Sequence, residues 1–242
     1  MLTLILTRHG QVTAGEVMLG GQLDVPLTPG GRAQAEALAR RLSGVRIDRI
    51  VSSPMLRALE TAQAIATGRP VELDERLREL DYGRWESLTY AEIDDRDPEL
   101  RARWEHDPAA THSPGGESGD DVAARALSFL VDLLAAEDRE PNGTPGGRRS
   151  PDPGGSRGVI SESQAEAEGE LRVLAVAHGT YNRILLCVAL GIPVRDYRRR
   201  FIQDRTNLTV LRYERGDAPD EAQLVLANDV SHLRGPGEAP WG

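Results

Sequence analysis

The stretch "LILTRHGQ", residues Leu4 to Gln11, passes directly from aliphatic side chains of the kind that fill a protein core to an arginine, a histidine and a glycine. A similar order returns downstream in "LAVAHGTYNR", residues Leu174 to Arg183. A short aliphatic run of this kind is typical of a strand that is buried on both faces of a parallel sheet. We therefore expect His9 and His178 each to follow the end of such a strand.

Helical patterns alternate with strand-like runs from the first residues onward. In "LTPGGRAQAEALARRLSG", Thr28 is the predicted N-cap and Pro29 the first helical residue. This helix lies between predicted strands at Leu2–Thr7 and Ile47–Ser52. The next stretch, "SSPMLRALETAQAIATG", predicts a second helix with Ser53 as its N-cap.

The alternation continues along the chain. Short helices are predicted from Leu88 to Asp107, a long amphipathic helix in "GESGDDVAARALSFLVDLLAAED", and a strand followed by a helix in "LRVLAVAHGTYNRILLCVALG". "NLTVLRY" and "AQLVLAN" predict an antiparallel hairpin. The predicted fold class is α/β, a three-layer αβα sandwich whose doubly wound sheet is mostly parallel with one antiparallel edge strand.

One segment interrupts this pattern. From Pro141 to about Glu170 the chain is rich in glycine and proline at first and then polar, and it has no apolar period, which predicts a flexible insertion at about 141–170. The alternation of strands and helices resumes after it, which favours a single domain over residues 1–233. Residues 234–242 are predicted to form a loose tail.

The overall charge argues against two classes of partner. The 242 residues carry a formal net charge of -9, whereas nucleic acids and anionic membranes are bound by broad basic patches, so neither is expected. The start "MLTLILTRHG" has neither the basic region nor the apolar length of a signal peptide, which predicts a cytoplasmic protein. Cys187 is the single cysteine, so an internal disulfide is excluded.

The basic residues exclude further classes of protein. All 29 of them are arginine, so Schiff-base chemistry, pyridoxal-phosphate binding and the P-loop, which each need a lysine, are ruled out. No cofactor is predicted. The five histidines include no pair four residues apart and no HExxH motif, so no metal site is predicted, which argues against a metallohydrolase.

The two histidines fall where doubly wound sheets bind ligands, at the carboxyl ends of the strands. Gly10 and Gly179 follow them and permit a close approach of the backbone, so we expect both glycines to line a ligand site. A histidine that only caps a strand end is the simpler explanation for either one alone. The matched pair of His9 and His178 favours a functional site.

Two arginines add positive charge to this region. Arg8 precedes His9, and Arg57 falls near the first turn of the second predicted helix, where the helix dipole disfavours a cation. A bound anion would reverse that effect, although an ion pair with Glu60 along the helix is an alternative. Guanidinium groups, imidazoles and a helix N-terminus together suit a phosphoryl group.

Several motifs now form an ordered set. "LTRHGQ", "LDVPLTPGGRAQAEAL", "SSPMLRALETA", "LRELDYGRWES", "PGGES" and "VAHG" occur in this order along the chain. In order and approximate spacing the sequence resembles the histidine phosphatase superfamily, also called phosphoglycerate-mutase-like. The resemblance extends over most of the chain outside the predicted insertion.

The resemblance implies a role for each of the residues already singled out. It implies that His9 is a nucleophile that takes the phosphoryl group as a phosphohistidine, that Arg8 and Arg57 clamp the phosphate, and that His178 is the second histidine of the pocket. Glu79 matches the acid that protonates the leaving alcohol and then deprotonates the attacking water. Arginines can supply the positioning and charge neutralisation that phosphoryl transfer needs without a metal. The implied activity is hydrolysis of a small phosphomonoester.

The sequence departs from the family pattern in two places. The family often has an asparagine six residues after the nucleophile, where this chain has Gly15, and the usual glycine of "WEG" is replaced by Ser87. Gln11 and Thr13 are instead predicted to line the substrate pocket. These changes bear on the identity of the substrate more than on the phosphoryl chemistry.

Other activities remain open. A mutase retains its phosphoenzyme and excludes water, whereas a phosphatase admits water, and the compact "HDPAATHSPGGES" connection favours the phosphatase branch. A non-catalytic phosphate-binding regulatory module is a further alternative. The arginines of Arg195–Phe201 and Arg205 are predicted to belong to a solvated helix face rather than to extend the anion site. The oligomeric state cannot be inferred from the sequence.

Overall fold

A computed structural model describes residues 1–13, 20–21, 23–137 and 170–234. Within these ranges six strands form one sheet. The strands are β1 (Leu2–Arg8), β2 (Arg49–Ser52), β3 (Glu72–Leu73), β4 (Leu171–Ala177), β5 (Leu208–Tyr213) and β6 (Gln223–Asp229). The α-helices in the same ranges are α1 (Pro29–Leu42), α2 (Leu56–Ala66), α3 (Tyr90–Arg96), α4 (Pro98–His106), α5 (Gly119–Glu137), α6 (Gly179–Ala189) and α7 (Tyr197–Arg200).

The sheet has the strand order β3-β2-β4-β1-β5-β6. The pairs β1 with β4, β4 with β2, and β2 with β3 are parallel, and β5 and β6 add an antiparallel hairpin at the edge. The predicted α/β class with a mostly parallel sheet is confirmed. Within the hairpin, β5 runs against the other strands and β6 lies outside it as the edge strand.

Both faces of the sheet are covered, as the side chains of β1 show. Leu4 and Leu6 belong to a core cluster that includes residues of α5 and α6, whereas Ile5 belongs to a second cluster with residues of α1 and α2. All three side chains are buried. Because neither face of β1 meets water, its sequence is aliphatic at successive positions, and the three-layer αβα arrangement is confirmed.

Helix α1 and the short helices of the middle segment follow the sequence prediction. The hydroxyl of Thr28 accepts a hydrogen bond from the backbone N–H of Gly31 at 2.9 Å, and Pro29 is the first helical residue. Trp85 and Trp104, carried by the middle segment, are buried and pack edge to face with ring centroids 6.0 Å apart. These two indoles anchor the middle segment to the core.

Helix α2 begins later than predicted. Its N-cap is Met55, in an extended conformation, and Leu56 is the first helical residue. The predicted N-cap, Ser53, is therefore wrong. The hydroxyl of Ser53 accepts from the N–H of Met55 at 3.3 Å and lies 2.9 Å from Nε2 of His178, because Ser53 follows directly after β2, whose neighbour is β4.

The predicted insertion and tail lie almost entirely outside the described residues. At the far end of the insertion, Glu170 is described, and it is buried and accepts a hydrogen bond from the hydroxyl of Thr3 at 2.5 Å. The flexible insertion, the tail and the single domain over 1–233 therefore stay predictions. Among the described helices, none combines the length and the apolar character needed to cross a membrane.

Ser87 provides a test of backbone strain. It occupies the position of the glycine in the family pattern, is exposed, and has a φ of 65°, which is in the left-handed region that glycine adopts most easily. We expect Ser87→Gly to raise the free energy of unfolding by about 0.5–1 kcal/mol, because it removes this strain at a small entropic cost. Urea denaturation measures the change.

A matched control is Ser43→Gly. Ser43 is exposed and has a right-handed φ of -59°, so the same chemical change should lower the free energy of unfolding. Equal effects of the two substitutions would contradict the assignment of strain to Ser87.

Candidate active site

The register of the central strands brings the two histidines together. Arg8 of β1 pairs with Ala177 of β4 in parallel, so His9 and His178 leave the sheet side by side. The N–H of His9 donates to the carbonyl of Ala177 at 3.0 Å, and the two imidazole rings have centroids 5.2 Å apart. Both rings are buried, with His9 4% exposed. The matched strand endings of the sequence thus form one site.

The hydrogen bonds of His9 determine which ring nitrogen carries its proton. Nδ1 lies 2.8 Å from the carbonyl oxygen of Gly10, which can only accept, so we assign the hydrogen to Nδ1. Nε2 then has the free electron pair. Burial, followed by the positive charges of Arg57, Arg205 and Arg8, holds the pKa of His9 well below its usual value of 6.5. The ring is therefore neutral.

Arg57 lies in the first turn of α2, as predicted, and is almost fully buried. Its Nη1 and Nη2 donate to the carbonyls of Leu23 and Gly20 at 2.8 and 3.1 Å, and its Nε has no hydrogen-bond partner among the described residues. The alternative ion pair with Glu60 is not formed: Arg57 donates to the carbonyls instead, and Glu60 pairs with Arg32 at 3.2 Å. Desolvation by burial lowers the pKa of Arg57, and this effect outweighs the opposite effect of the Glu79, Asp24 and Glu86 carboxylates.

Arg8 is held in the same way. Its Nη1 donates to the carbonyl of Gln203 at 2.8 Å, and its buried Nε has no partner in the part of the chain that the structure describes. The guanidinium packs against Gly179, where a Cβ atom would lie 3.2 Å from the Arg8 Cζ. A larger residue at position 179 would therefore have to displace the Arg8 guanidinium by a few tenths of an ångström. Burial lowers the pKa of Arg8 as well.

Gly10 permits a different close approach from the one predicted. A Cβ atom at Gly10 would lie 2.5 Å from the carbonyl oxygen of Gly31, at the start of α1. The N–H of Gly10 donates to the hydroxyl of Thr61 at 3.0 Å. This glycine thus lets helix α1 pack against the end of β1, and its role in substrate binding stays a prediction.

His178 is oriented by Ser53, which the sequence patterns did not assign to the site. Its Nε2 lies 2.9 Å from the hydroxyl of Ser53, and its buried Nδ1 has no hydrogen-bond partner within the described ranges. Burial and then the charge of Arg57 hold the pKa of His178 well below its usual value. The signal for Ser53 was available, because it directly follows the predicted strand Ile47–Ser52.

Glu79 lies at the N-terminus of α6 and is buried. One carboxylate oxygen accepts from the N–H groups of Leu80 and Tyr181 at 3.0 and 2.9 Å, and the other accepts from the N–H of Thr180 at 3.0 Å. The carboxylate thereby satisfies two of the first N–H groups of the helix, those of Thr180 and Tyr181, and the helix dipole favours a negative charge there. His178 directly precedes Gly179, the first residue of this helix, so Glu79 and His178 both lie at the helix N-terminus.

The two residues predicted to line the substrate pocket lie near the gaps in the description. The side-chain oxygen of Gln11 accepts from the hydroxyl of Thr28 at 3.3 Å, so its amide is directed toward the start of α1. Thr13 is exposed and directly precedes residues 14–19, which include Gly15 and lie outside the described ranges. Substrate binding by Gln11 and Thr13 stays a prediction.

These features define an α/β protein with a buried, cationic, histidine-containing site at the carboxyl edge of its sheet. The chain belongs to the histidine phosphatase superfamily (branch 1), whose family model matches residues 4–141 and 156–229. The resemblance inferred from the ordered motifs is thereby confirmed.

The relatives of the chain include phosphatases and a mutase-like protein. It is 36% identical over 199 residues to the glucosyl-3-phosphoglycerate phosphatase of Mycolicibacterium vanbaalenii, covering 80% of this chain and 76% of that protein. It is 29% identical over 242 residues to a probable phosphoglycerate mutase GpmB of an Enterobacter species, covering 98% and 97%. A mycobacterial glucosyl-3-phosphoglycerate phosphatase, solved in complex with inorganic phosphate, matches at a TM-score of 0.73 and 31% identity over 96% of this chain and 99% of that one.

The buried neutral histidines predict a pH dependence of stability. Unfolding exposes both rings and returns their pKa values to about 6.5, so below that pH the unfolded chain binds more protons than the folded one. The free energy of unfolding should therefore fall as pH drops from 7 to 5, by up to roughly 1 kcal/mol per pH unit for each histidine. Urea denaturation at a series of pH values measures this slope.

Two variants isolate the contribution of the site. His178→Gln removes one buried ring and should flatten the slope between pH 7 and 5. The control is His106→Gln, which removes an exposed histidine at the end of α4, outside the site. An unchanged slope in the His178 variant would show that this ring is not held neutral by the fold.

Proposed function

We propose that the protein is a phosphomonoester hydrolase that works through a phosphohistidine on His9. The observation that carries this proposal is the state of the His9 ring, which is buried, bonded through Nδ1 to the Gly10 carbonyl, and held neutral by its surroundings. A neutral imidazole with a free electron pair on Nε2 attacks phosphorus without first losing a proton.

In the first step, Nε2 of His9 forms a bond to phosphorus while the bond from phosphorus to the substrate oxygen breaks. Protonated Glu79 gives its proton to that oxygen, which leaves as an alcohol. In the second step, a water molecule attacks phosphorus, the Glu79 carboxylate takes its proton, and the bond to His9 breaks. Inorganic phosphate leaves, and both side chains regain their starting states.

The remaining groups stabilise the charge that the phosphoryl oxygens carry. Arg57, which is buried, and Arg8, which is partly buried, supply two guanidiniums held by backbone carbonyls, which is the preorganised electrostatic stabilisation that phosphoryl transfer requires. If the hydroxyl of Ser53 donates to Nε2 of His178, the unpartnered Nδ1 of His178 carries a hydrogen and can donate to a phosphoryl oxygen. The proposed mechanism uses no metal and no cofactor.

The substrate in this proposal is a small phosphorylated metabolite, with Gly10, Gln11, Thr13 and Gly179 near its binding site. The named substrate of the mycobacterial relatives, glucosyl-3-phosphoglycerate, supports a phosphate ester of a small acid as the class to test first. A cytoplasmic location and a single domain over residues 1–233 belong to the same proposal and rest on the sequence.

A phosphoglycerate mutase activity is the second candidate. The match to a probable phosphoglycerate mutase over 98% of this chain favours it as the alternative. A mutase transfers the phosphoryl group back to a substrate hydroxyl, whereas a phosphatase transfers it to water. The two activities are distinguished by whether inorganic phosphate is released or the phosphoryl group is returned to a substrate.

The proposed activity predicts that the protein releases phosphate from a panel of esters. We expect the wild-type protein to release inorganic phosphate from at least one of glucosyl-3-phosphoglycerate, 3-phosphoglycerate and phosphoserine, because the proposed second step transfers the phosphoryl group to water. Phosphate release under steady-state conditions gives kcat/KM for each ester. Isomerisation of 3-phosphoglycerate without net release would contradict the phosphatase proposal and support the mutase.

The nucleophile is tested by trapping the intermediate. With a ³²P-labelled ester and rapid alkaline denaturation, the wild-type protein should retain acid-labile label, and His9→Ala should retain none and lose activity by about a thousandfold or more. The matched control is His112→Ala, which removes an exposed histidine outside the site. Full activity in the His9 variant would exclude His9 as the nucleophile, and folded, phosphate-binding but inactive wild-type protein would indicate a non-catalytic module.

A further inference from the structure

The segment between α7 and β5 forms hydrogen bonds with the end of β1. The carbonyl of Gln203 accepts from Nη1 of Arg8 at 2.8 Å, and the N–H of Thr206 donates to the carbonyl of Arg8 at 3.0 Å. The side-chain oxygen of Asn207 accepts from the N–H of Arg8 at 3.2 Å. Residues 203–207 therefore form a loop fixed against the residue that precedes His9.

The backbone of this loop is strained at one position. Thr206 is fully buried and has a φ of 51°, a left-handed conformation that is unfavourable for a β-branched residue. Such conformations persist where the surrounding contacts enforce them, and they concentrate at functional sites. Arg205 directly precedes Thr206, so the strained backbone lies next to the residue that carries the Arg205 side chain.

Arg205 reaches the reacting histidine. Its Nη1 lies 3.2 Å from the carbonyl oxygen of Gly10 and 3.2 Å from Nδ1 of His9. Because Nδ1 already donates to the same carbonyl, the Arg205 N–H is assigned to the carbonyl as well. The Gly10 oxygen thus accepts from both His9 and Arg205, which fixes the imidazole tautomer.

Arg205 differs from the arginines that precede it along the chain. Arg198 pairs with Glu105 at 2.7 Å and Arg199 with Asp196 at 2.9 Å, whereas Arg205 forms no ion pair with a carboxylate in the described ranges. Burial, followed by the charges of Arg8 and Arg57, lowers the pKa of Arg205 to about 10. The prediction of a solvated helix face is wrong for Arg205, because the loop turns it inward.

We propose that Arg205 is a third guanidinium of the active site, which positions His9 through the Gly10 carbonyl and supplies positive charge for the phosphate. This inference rests on the proposed function of the same site. Arg8 and Arg57 both act on Arg205 as like charges, so the three guanidiniums belong to one positively charged region. A bound phosphomonoester dianion would offset this charge, so a third arginine suits an anionic ligand.

The role of Arg205 predicts a shift in the pH profile. A cation beside His9 disfavours the imidazolium form, so removing it raises the pKa of His9. Since His9 attacks as the neutral ring, activity on the acid side of the profile should then be lost at a higher pH. A residue with only a structural role would lower activity without moving this limb.

The experiment compares Arg205→Gln, Arg205→Lys and the control Arg199→Gln, whose side chain is 83% exposed. For each, kcat/KM for p-nitrophenyl phosphate is measured from pH 4.5 to 8, along with inhibition by inorganic phosphate. We expect Arg205→Gln to weaken phosphate inhibition by about tenfold and to shift the acid limb to higher pH. Arg205→Lys should keep the acid limb of the wild type because it keeps the charge, and Arg199→Gln should match the wild type.

A wild-type pH profile and wild-type phosphate inhibition in Arg205→Gln would overturn the proposal. If circular dichroism shows that Arg205→Gln does not fold, the proposal is tested with Arg205→Lys. The proposal then expects an unshifted acid limb and a kcat/KM reduced by about threefold or more through the weakened bond to Gly10, and a wild-type kcat/KM contradicts it. Activity in His9→Ala would instead refute the proposed function, whereas an inactive His9→Ala beside an unaltered Arg205→Gln refutes only the role of Arg205.

Discussion

Arg8, Arg57 and Arg205 place three positive charges at one edge of the sheet, with backbone carbonyls as their hydrogen-bond partners in the described residues. Carbonyl oxygens satisfy the N–H groups but do not neutralise the charge, so a buried guanidinium held in this way destabilises the fold until an anion binds. The lowered pKa values of all three arginines have this common origin. The rest of the site follows from that constraint.

The state of the histidines depends on the same charges. Burial and then the charges of three nearby guanidiniums disfavour the imidazolium form, so His9 stays neutral and keeps the electron pair with which it would attack. The carboxylate of Glu79 does not pair with these arginines through a hydrogen bond in the described structure but is bound by the first N–H groups of α6. The positive charge therefore remains available to a phosphate, and the scaffold that maintains it is the parallel pairing of β1 with β4.

The amino-acid sequence was sufficient to predict the strands, their ends and much of the site. The aliphatic runs before His9 and His178 predicted their positions, because buried parallel strands have a distinctive composition and end at a common edge. Ser53 and Arg205 were not assigned to the site. Ser53 resembled an ordinary helix N-cap, and Arg205 followed a run of surface arginines in a loop without any period. Only the hydrogen bonds that join residues 203–207 to β1, nearly 200 positions earlier, distinguish Arg205 from its neighbours.

The central claim is that the site has an excess of positive charge that a phosphate neutralises. The most direct test is the melting temperature of the wild-type protein and of Arg57→Gln at increasing concentrations of inorganic phosphate, with sodium chloride at the same ionic strength as the reference. We expect phosphate to raise the melting temperature of the wild type in a concentration-dependent manner, since a ligand stabilises the state that binds it, and to have a much smaller effect on the variant. Equal melting temperatures of the wild type in phosphate and in sodium chloride would contradict the account.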